Sequence, residues 1–233
     1  MTQPNNYGFG EECALLKESA RKFFAERMPT DALHALVAAD PVPEREPQCQ
    51  WDPQLWQEMV GLGWTMLAVP EASGGVGMPL VGVAGLAEEL GRAALPCPLL
   101  PTFNATYVLA ACGQGGEGAL AEIAEGRSAT LAITDRHGSW SVTDTGVSCK
   151  DGRLNGTAWF VQDAGKAERL LVSARSEAGL SLYWVAADAP GITITPDRIV
   201  DLTRDQAHVG FQDVAAEEVT ANGAAALTAA FPA

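Results

Sequence analysis

The sequence predicts an α+β protein in which an N-terminal all-α domain is followed by an antiparallel β-barrel or sandwich domain. Apolar residues recur at steps of three and four through the first half of the chain, which is the spacing of amphipathic helices. After about residue 128, short apolar runs are separated by turn dipeptides, as expected for strands. From about residue 217 the chain is Ala-rich and helical again. We therefore expect domains at 1–127, 128–216 and 217–233.

The helix predictions depend on apolar periodicity and on one capping signal. The first helix presents an apolar face made by Cys13, Leu16, Ala20 and Phe23. Asp52 followed by Pro53 is the preferred order for a helix start, and Gly61 and Gly63 end that helix. Further helices are expected at about 31–39, 80–94, 102–112 and 118–125.

The strand predictions depend on alternation and on turn signals. Asp-Gly at 151–152, Asn-Gly at 155–156 and Pro-Gly at 190–191 separate the apolar runs, and such dipeptides favour hairpins. Seven or so strands at this spacing are typical of a β-barrel or sandwich. The helix expected in 217–233 has little to pack against. A C-terminal helical domain is therefore expected to be absent or only begun, or a partner supplies the contact surface.

Composition excludes several functional classes. The 233 residues are 47% hydrophobic and carry a formal net charge of −14, so we expect a sizeable core and no binding to nucleic acid or to an anionic membrane. The N-terminus lacks a signal-peptide pattern, and no run of about 18 apolar residues is present. The five cysteines form no CxxC pair. A reduced, cytoplasmic protein without a metal site is therefore expected.

Three stretches could carry chemistry, and each also has a purely structural interpretation. LAVPEASGGVGMPL at 67–80 is Gly-rich, but it lacks the spacing of a phosphate-binding loop, so a tight turn is favoured. ITDRHGSW at 133–140 could hydrogen-bond a ligand or be a polar turn. Trp159 could fill the core or face a flat ligand. Strict alternation would place Trp159 and Val161 on one face of the strand and Phe160 on the other.

Taken together, these stretches resemble the acyl-CoA dehydrogenase family of flavoproteins. The collinear motifs are VPEASGGVG, ITDRHGS, DGRLNGTAWFV, ERLLVSA, ADAPGITI and FQDV, at 69–77, 133–139, 151–161, 168–174, 187–194 and 211–214. The resemblance covers nearly the whole chain. It implies FAD as cofactor, an acyl-CoA thioester as substrate, α,β-dehydrogenation as reaction and an electron-transfer flavoprotein as acceptor. It also implies a homo- or hetero-oligomer with other acyl-CoA dehydrogenase subunits.

The resemblance also implies which residues contact FAD. Trp159 would pack against the isoalloxazine, and Val161 stands where the family has a hydroxyl that binds near flavin N5, so that only its backbone N–H could serve. Ile133 and Thr134 would face the pyrimidine edge of the flavin. Gly138 and Ser139 would lie near the pyrophosphate.

This sequence departs from the family pattern at several positions. Arg136 replaces a proline, Ala158 replaces a lysine, and the loop around Arg136 is one residue short. In the family, a C-terminal four-helix domain carries the glutamate that removes the α-proton, so no catalytic residue is assigned here, and the chain alone is expected to be inactive.

Four hypotheses about function stay open at this point. The first is an acyl-CoA dehydrogenase or its FAD-holding part. The second is a non-catalytic partner subunit of a heteromeric acyl-CoA dehydrogenase that has lost or weakened flavin binding. The third is another flavin reaction on the same scaffold, such as that of an oxidase or a monooxygenase. The fourth is an interaction module without cofactor.

Overall fold

The protein is described by a computed structural model that covers residues 9–38, 50–139 and 141–231. Its first half is helical, as predicted. The helices are α1 Glu11–Arg27, α2 Thr30–Val37, α3 Pro53–Gly61, α4 Leu80–Arg92, α5 Leu99–Ala111, α6 Glu117–Ala124 and α7 Gly223–Ala230. Short 3₁₀ turns lie at Glu71–Ser73 and Gly113–Gly116.

The helix start predicted at Asp52 and Pro53 is confirmed. The Asp52 carboxylate accepts hydrogen bonds from the backbone N–H groups of Gln54, at 2.8 Å, and Leu55, at 3.3 Å. These donors have no partner inside the helix, and an aspartate cap satisfies them. The cap therefore fixes the direction in which α3 enters the helical core.

The core of the helical part is built around edge-to-face aromatic rings. Phe24 and Trp64 are each 3% exposed, and their ring centroids lie 5.3 Å apart at an interplanar angle of 63°. Phe23 contacts both rings from the rim of the cluster. Such aromatic pairs add to the stabilisation that burial provides. Phe24, rather than the predicted Phe23, is the buried member of the pair, whereas Cys13 and Ala20 are buried as predicted.

The second half of the chain forms one sheet within the described residues. Its strands are β1 Ala129–Ala132, β2 Val147–Lys150, β3 Arg153–Gln162, β4 Arg169–Ser176, β5 Gly179–Ala186, β6 Ile192–Pro196, β7 Gln206–Ala215 and β8 Glu217–Thr220. The strand order is β6-β7-β3-β2-β4-β5-β8, with β1 paired to β4. The predicted order of an all-α part followed by a β part is therefore confirmed.

The sheet is mixed, whereas the sequence predicted purely antiparallel pairing. Strand β1 pairs in parallel with residues 169–172 of β4, and Ser148 of β2 pairs in parallel with Arg175. Both pairings join strands that are distant in sequence, so no hairpin turn announces them. The hairpins that were predicted from turn dipeptides, such as the one formed by β2 and β3, are antiparallel.

The end of the chain differs from the expectation of a helix from about residue 217. Glu217–Thr220 forms β8, which pairs with β5, and α7 begins only at Gly223. The expectation that the last helix lacks a packing surface is wrong, because Ala226 and Leu227 are buried in the cluster that α5 shares with the sheet.

This shared cluster joins the helical part to the sheet. Val108 and Leu109 of α5 pack with Leu171, Leu182 and Trp184 of β4 and β5. The opposite face of the sheet, here called the inner face, has its own core, which includes Ala158, Val161, Leu170 and Val209. The remaining face of β3 and β7, here called the outer face, carries the partly buried side chains of Trp159 and His208.

Two predicted absences concern membranes and metals. Along the described ranges no helix combines the length and apolarity needed to cross a bilayer. The same ranges hold no cluster of three or more histidine, cysteine and acidic side chains suited to a metal ion. The cysteines at 13, 97, 112 and 149 are unpaired, and Cys49 lies outside the described residues.

Candidate functional site

A bulge in strand β3 decides where the aromatic pair points. Ala158 pairs with Val209 and Val161 pairs with Ala207, so three steps along β3 match two along β7. Phe160 takes up the extra residue with φ of +56°, a left-handed conformation that is costly for a bulky side chain. Strict alternation therefore fails, and Trp159 and Val161 do not share a face.

The Trp159 indole lies outside the inner core. It is half-buried and stacks on the imidazole of His208, with 4.8 Å between ring centroids and 22° between planes. His208 stands between the buried residues Ala207 and Val209, so its own side chain lies on the outer face. The stack therefore places a flat aromatic surface on the outer face of the sheet.

Residues 133 and 134 run alongside this surface. The backbone N–H of Trp159 donates to the carbonyl oxygen of Thr134 at 2.9 Å. The carbonyl of Ile133 accepts from the buried Ser173 hydroxyl at 3.3 Å, and its side chain packs at the rim of the cluster shared with the helices. The structure thus brings Thr134 next to Trp159 and anchors Ile133 behind it.

The loop that follows is folded around two carboxylates. Asp135 accepts hydrogen bonds from the backbone N–H groups of Ser139, at 3.1 Å, and His137, at 3.0 Å, and these bonds hold the pKa of Asp135 below its usual range. The Ser139 hydroxyl donates to Asp144 at 2.7 Å. Gly138, at φ of +65°, lies against the ring of Phe160.

Val161 is a core residue. Its side chain is fully buried and belongs to the inner-face cluster, so it points away from the Trp159 surface. Only its backbone could reach a ligand on the outer face. The bulge thus lets the valine side chain pack in the core although Trp159, two positions earlier, lies on the outer face.

Val161→Thr is expected to lower the free energy of unfolding by about 1–3 kcal/mol, because it buries a hydroxyl among apolar side chains. Chemical denaturation measures the loss. Val200, whose side chain is 98% exposed, supplies the matched control, since Val200→Thr should leave stability unchanged. A Val161→Thr protein as stable as the original would place this side chain outside the core.

The Gly-rich loop at 67–80 has a structural role. Its backbone N–H groups donate inside the protein: Gly74 to Glu71, Gly75 to Pro70, Val76 to Met66, Gly77 to Val69 and Met78 to Leu67. A phosphate-binding loop must leave such donors free for the ligand. The interpretation as a tight turn before α4 is therefore confirmed.

Comparison with known proteins places this arrangement in a family. Residues 10–118 match the profile of the acyl-CoA dehydrogenase N-terminal domain. Acyl-CoA dehydrogenase IpdE2 of Mycobacterium tuberculosis is 30% identical over 152 residues, which are 64% of this chain and 45% of that protein. Residues 10–118 thus form an acyl-CoA dehydrogenase N-terminal domain, and the chain as a whole is similar to acyl-CoA dehydrogenases.

Solved acyl-CoA dehydrogenases share the fold of both the helical part and the sheet. The Tcur3481-Tcur3483 steroid ACAD matches with a TM-score of 0.75 and 30% identity, over 90% of this chain and 57% of that chain. A glutaryl-CoA dehydrogenase from Mycobacterium smegmatis, in complex with FADH2, matches with a TM-score of 0.73 over 95% of this chain and 58% of that chain. At 15% identity, the second likeness concerns the fold alone. The chain spans less than half the length of the curated relatives it matches.

The residues present suit the ring system of a flavin dinucleotide better than its pyrophosphate. The half-buried Trp159 offers an aromatic surface of the kind that a planar ring system contacts. At the phosphate end, the N–H and hydroxyl of Ser139 already donate to Asp135 and Asp144. Two carboxylates beside an anionic pyrophosphate are unfavourable, and the exposed Arg136 is the nearest basic residue of the loop by sequence.

A buried charge cluster lies just after β3, and the sequence analysis missed it. The Lys166 side chain is fully buried, and its ammonium lies 2.6 Å from Asp163 and 2.5 Å from Asp205. Burial raises the pKa of Asp163, and the neighbouring Asp205 carboxylate adds to this, although the Lys166 ammonium acts in the opposite direction. Although burial disfavours the Lys166 ammonium, the carboxylates outweigh this cost and raise its pKa. The cluster ties the segment after β3 to the start of β7, beside the Trp159 surface.

Proposed function

We propose that this chain forms the flavin-holding wall of an acyl-CoA dehydrogenase, which oxidises the Cα–Cβ bond of an acyl-CoA thioester to the 2-enoyl product. The observation that carries the proposal is the Trp159 indole on the outer face of β3, with Thr134 beside it. When bound, FAD would accept the hydride from the β-carbon. The chain's own residues would hold the flavin ring and orient it.

The other site residues keep the roles that the family resemblance implies. Ile133 and Thr134 would face the pyrimidine edge, Gly138 and Ser139 the phosphates, and Val161 would act only through its backbone. Among the described residues none is proposed as the base that removes the α-proton. An electron-transfer flavoprotein would reoxidise the flavin.

The substrate we propose is an acyl-CoA with a bulky, steroid-derived acyl group. The support is the 30% identity to the solved steroid acyl-CoA dehydrogenase over 90% of this chain. The double name Tcur3481-Tcur3483 of that protein also favours assembly of this chain with a second acyl-CoA dehydrogenase chain. We keep 1–127, 128–216 and 217–233 as the proposed domains, with β8 attached to the middle one through its pairing with β5.

Titration of FAD, followed by quenching of flavin fluorescence, tests the proposed function. The chain is expected to bind FAD, and Trp159→Ala is expected to weaken binding roughly tenfold or more through loss of the ring contact. Trp51→Ala, which removes a partly buried indole from the helical part, is the matched control and should leave the affinity unchanged. Equal FAD affinity of the original and the Trp159→Ala protein would refute the assignment of Trp159.

A second candidate function is a partner subunit with weakened flavin binding in a heteromeric acyl-CoA dehydrogenase. The observation that favours it is the Ser139–Asp144 hydrogen bond at the phosphate end. In that case the chain alone should bind no FAD, whereas Asp144→Asn, which removes one negative charge, should restore measurable binding. If the original chain binds FAD and Asp144→Asn changes nothing, the partner-subunit function loses its support.

A further inference from the structure

The imidazole of His208 is held from two directions. Its Nδ1 lies 3.1 Å from an Asp197 carboxylate oxygen, and since a carboxylate only accepts, the imidazole donates through Nδ1. The second oxygen of Asp197 accepts from the side-chain amide of Gln206 at 3.1 Å. The backbone N–H of Asp197 donates to the Gln206 carbonyl at 2.8 Å. Gln206 thus holds the Asp197 carboxylate in place, and the carboxylate in turn orients the His208 imidazole.

The indole of Trp159 has weaker constraints of its own. It sits at the bulge, where Trp159 and Phe160 together oppose His208 of β7, so regular pairing does not set its direction. Its backbone is held by Thr134, but the ring meets His208 face to face at 4.8 Å. The imidazole therefore determines the plane in which the indole lies.

We infer that His208 is a positioning residue for Trp159: anchored by Asp197, it covers one face of the indole and fixes the plane of the ring that a flavin would contact. This inference rests on the proposed function for its ligand, but the positioning itself concerns only this chain. Neither His208 nor Asp197 is buried, with side chains 32% and 25% exposed. A contact that served only core packing would not need a carboxylate to aim a half-exposed imidazole.

Two substitutions of His208 separate positioning from packing. His208→Ala removes the stacked ring, and His208→Phe keeps a flat ring without the Asp197 hydrogen bond. We expect His208→Ala to shift the indole N–H signal of Trp159 in a ¹H–¹⁵N spectrum, assigned through Trp159→Phe, and to weaken FAD binding between about twofold and tenfold. His208→Phe, which can stack but cannot be held by Asp197, should recover only part of the affinity, and full recovery would reduce the role of His208 to packing.

The possible outcomes are distinct. A folded His208→Ala protein with an unmoved Trp159 signal would overturn the inference, whether or not FAD binds. In a chain that binds no FAD, a Trp159 signal that moves by more than loss of the imidazole ring current explains would uphold positioning and refute the proposed function. An unchanged FAD affinity in His208→Ala, with the original chain binding FAD, would show that the plane of the indole does not matter to the flavin and would also overturn the inference.

Discussion

Replacing Lys166 with methionine is expected to lower the free energy of unfolding by about 3–5 kcal/mol. The substitution leaves Asp163 and Asp205 buried beside each other without their shared ammonium. Methionine has nearly the same length as lysine, so packing changes little and the loss reports the charge. Urea denaturation at neutral pH, followed by circular dichroism, measures it.

The dependence on pH gives this prediction a second check. Because the pKa of Asp163 is raised in the folded protein, its protonated form favours folding at low pH, and this contribution is lost as pH rises through the folded pKa. The deficit of Lys166→Met should therefore shrink on acidification. The pKa of Lys166 is also raised, so the contribution of its charged form is complete below the unfolded pKa and disappears in the alkaline range. A deficit that is constant across pH would contradict the electrostatic account.

A surface pair supplies the control for Lys166→Met. Lys22 and Glu18 lie 2.8 Å apart with side chains 70% and 61% exposed, and exposed pairs of this kind contribute little. Lys22→Met should leave the unfolding midpoint unchanged. If both substitutions cost the same, the loss would come from general removal of positive charge on a chain of net charge −14 rather than from the buried cluster.

The features predicted correctly from the sequence are those that depend on the spacing of residues close together in the chain. The Asp52 cap, the helices and the hairpin between β2 and β3 each depend on residues a few positions apart. The parallel pairing of β1 with β4 joins segments about forty positions apart. No turn dipeptide marks that connection, so a mixed sheet could not be distinguished from an antiparallel one.

The candidate site was only partly visible for the same reason. The motif around Trp159 identified it as a residue that could face a flat ligand. The bulge at Phe160 could not be predicted, because no glycine marks that position. His208 and Asp197 became relevant only when β6 and β7 were placed beside β3. No local pattern marks Lys166 as buried, because Asp205, which contacts its ammonium, lies thirty-nine positions away in the sequence.

Gly75→Ala is expected to destabilise the protein by about 3 kcal/mol, the upper part of the range for forced overpacking. A Cβ at this position would lie 2.0 Å from the carbonyl oxygen of Val69 and 2.4 Å from its Cβ. Neither is the end of a flexible side chain, so the loop backbone itself would have to move. Thermal and chemical unfolding measure the loss.

Gly74→Ala is the matched neighbour, and it separates steric clash from backbone conformation. Gly74 has φ of +85°, and a Cβ at this position would meet nothing within 4 Å, so its alanine variant should lose only about 1–2 kcal/mol from the left-handed backbone. Since the backbone N–H groups of residues 74–78 are donated within the protein, neither variant should change FAD affinity while it remains folded. A Gly74→Ala protein of near-normal stability that had lost FAD would instead make the loop part of the cofactor site, and the tight-turn interpretation would have to be withdrawn.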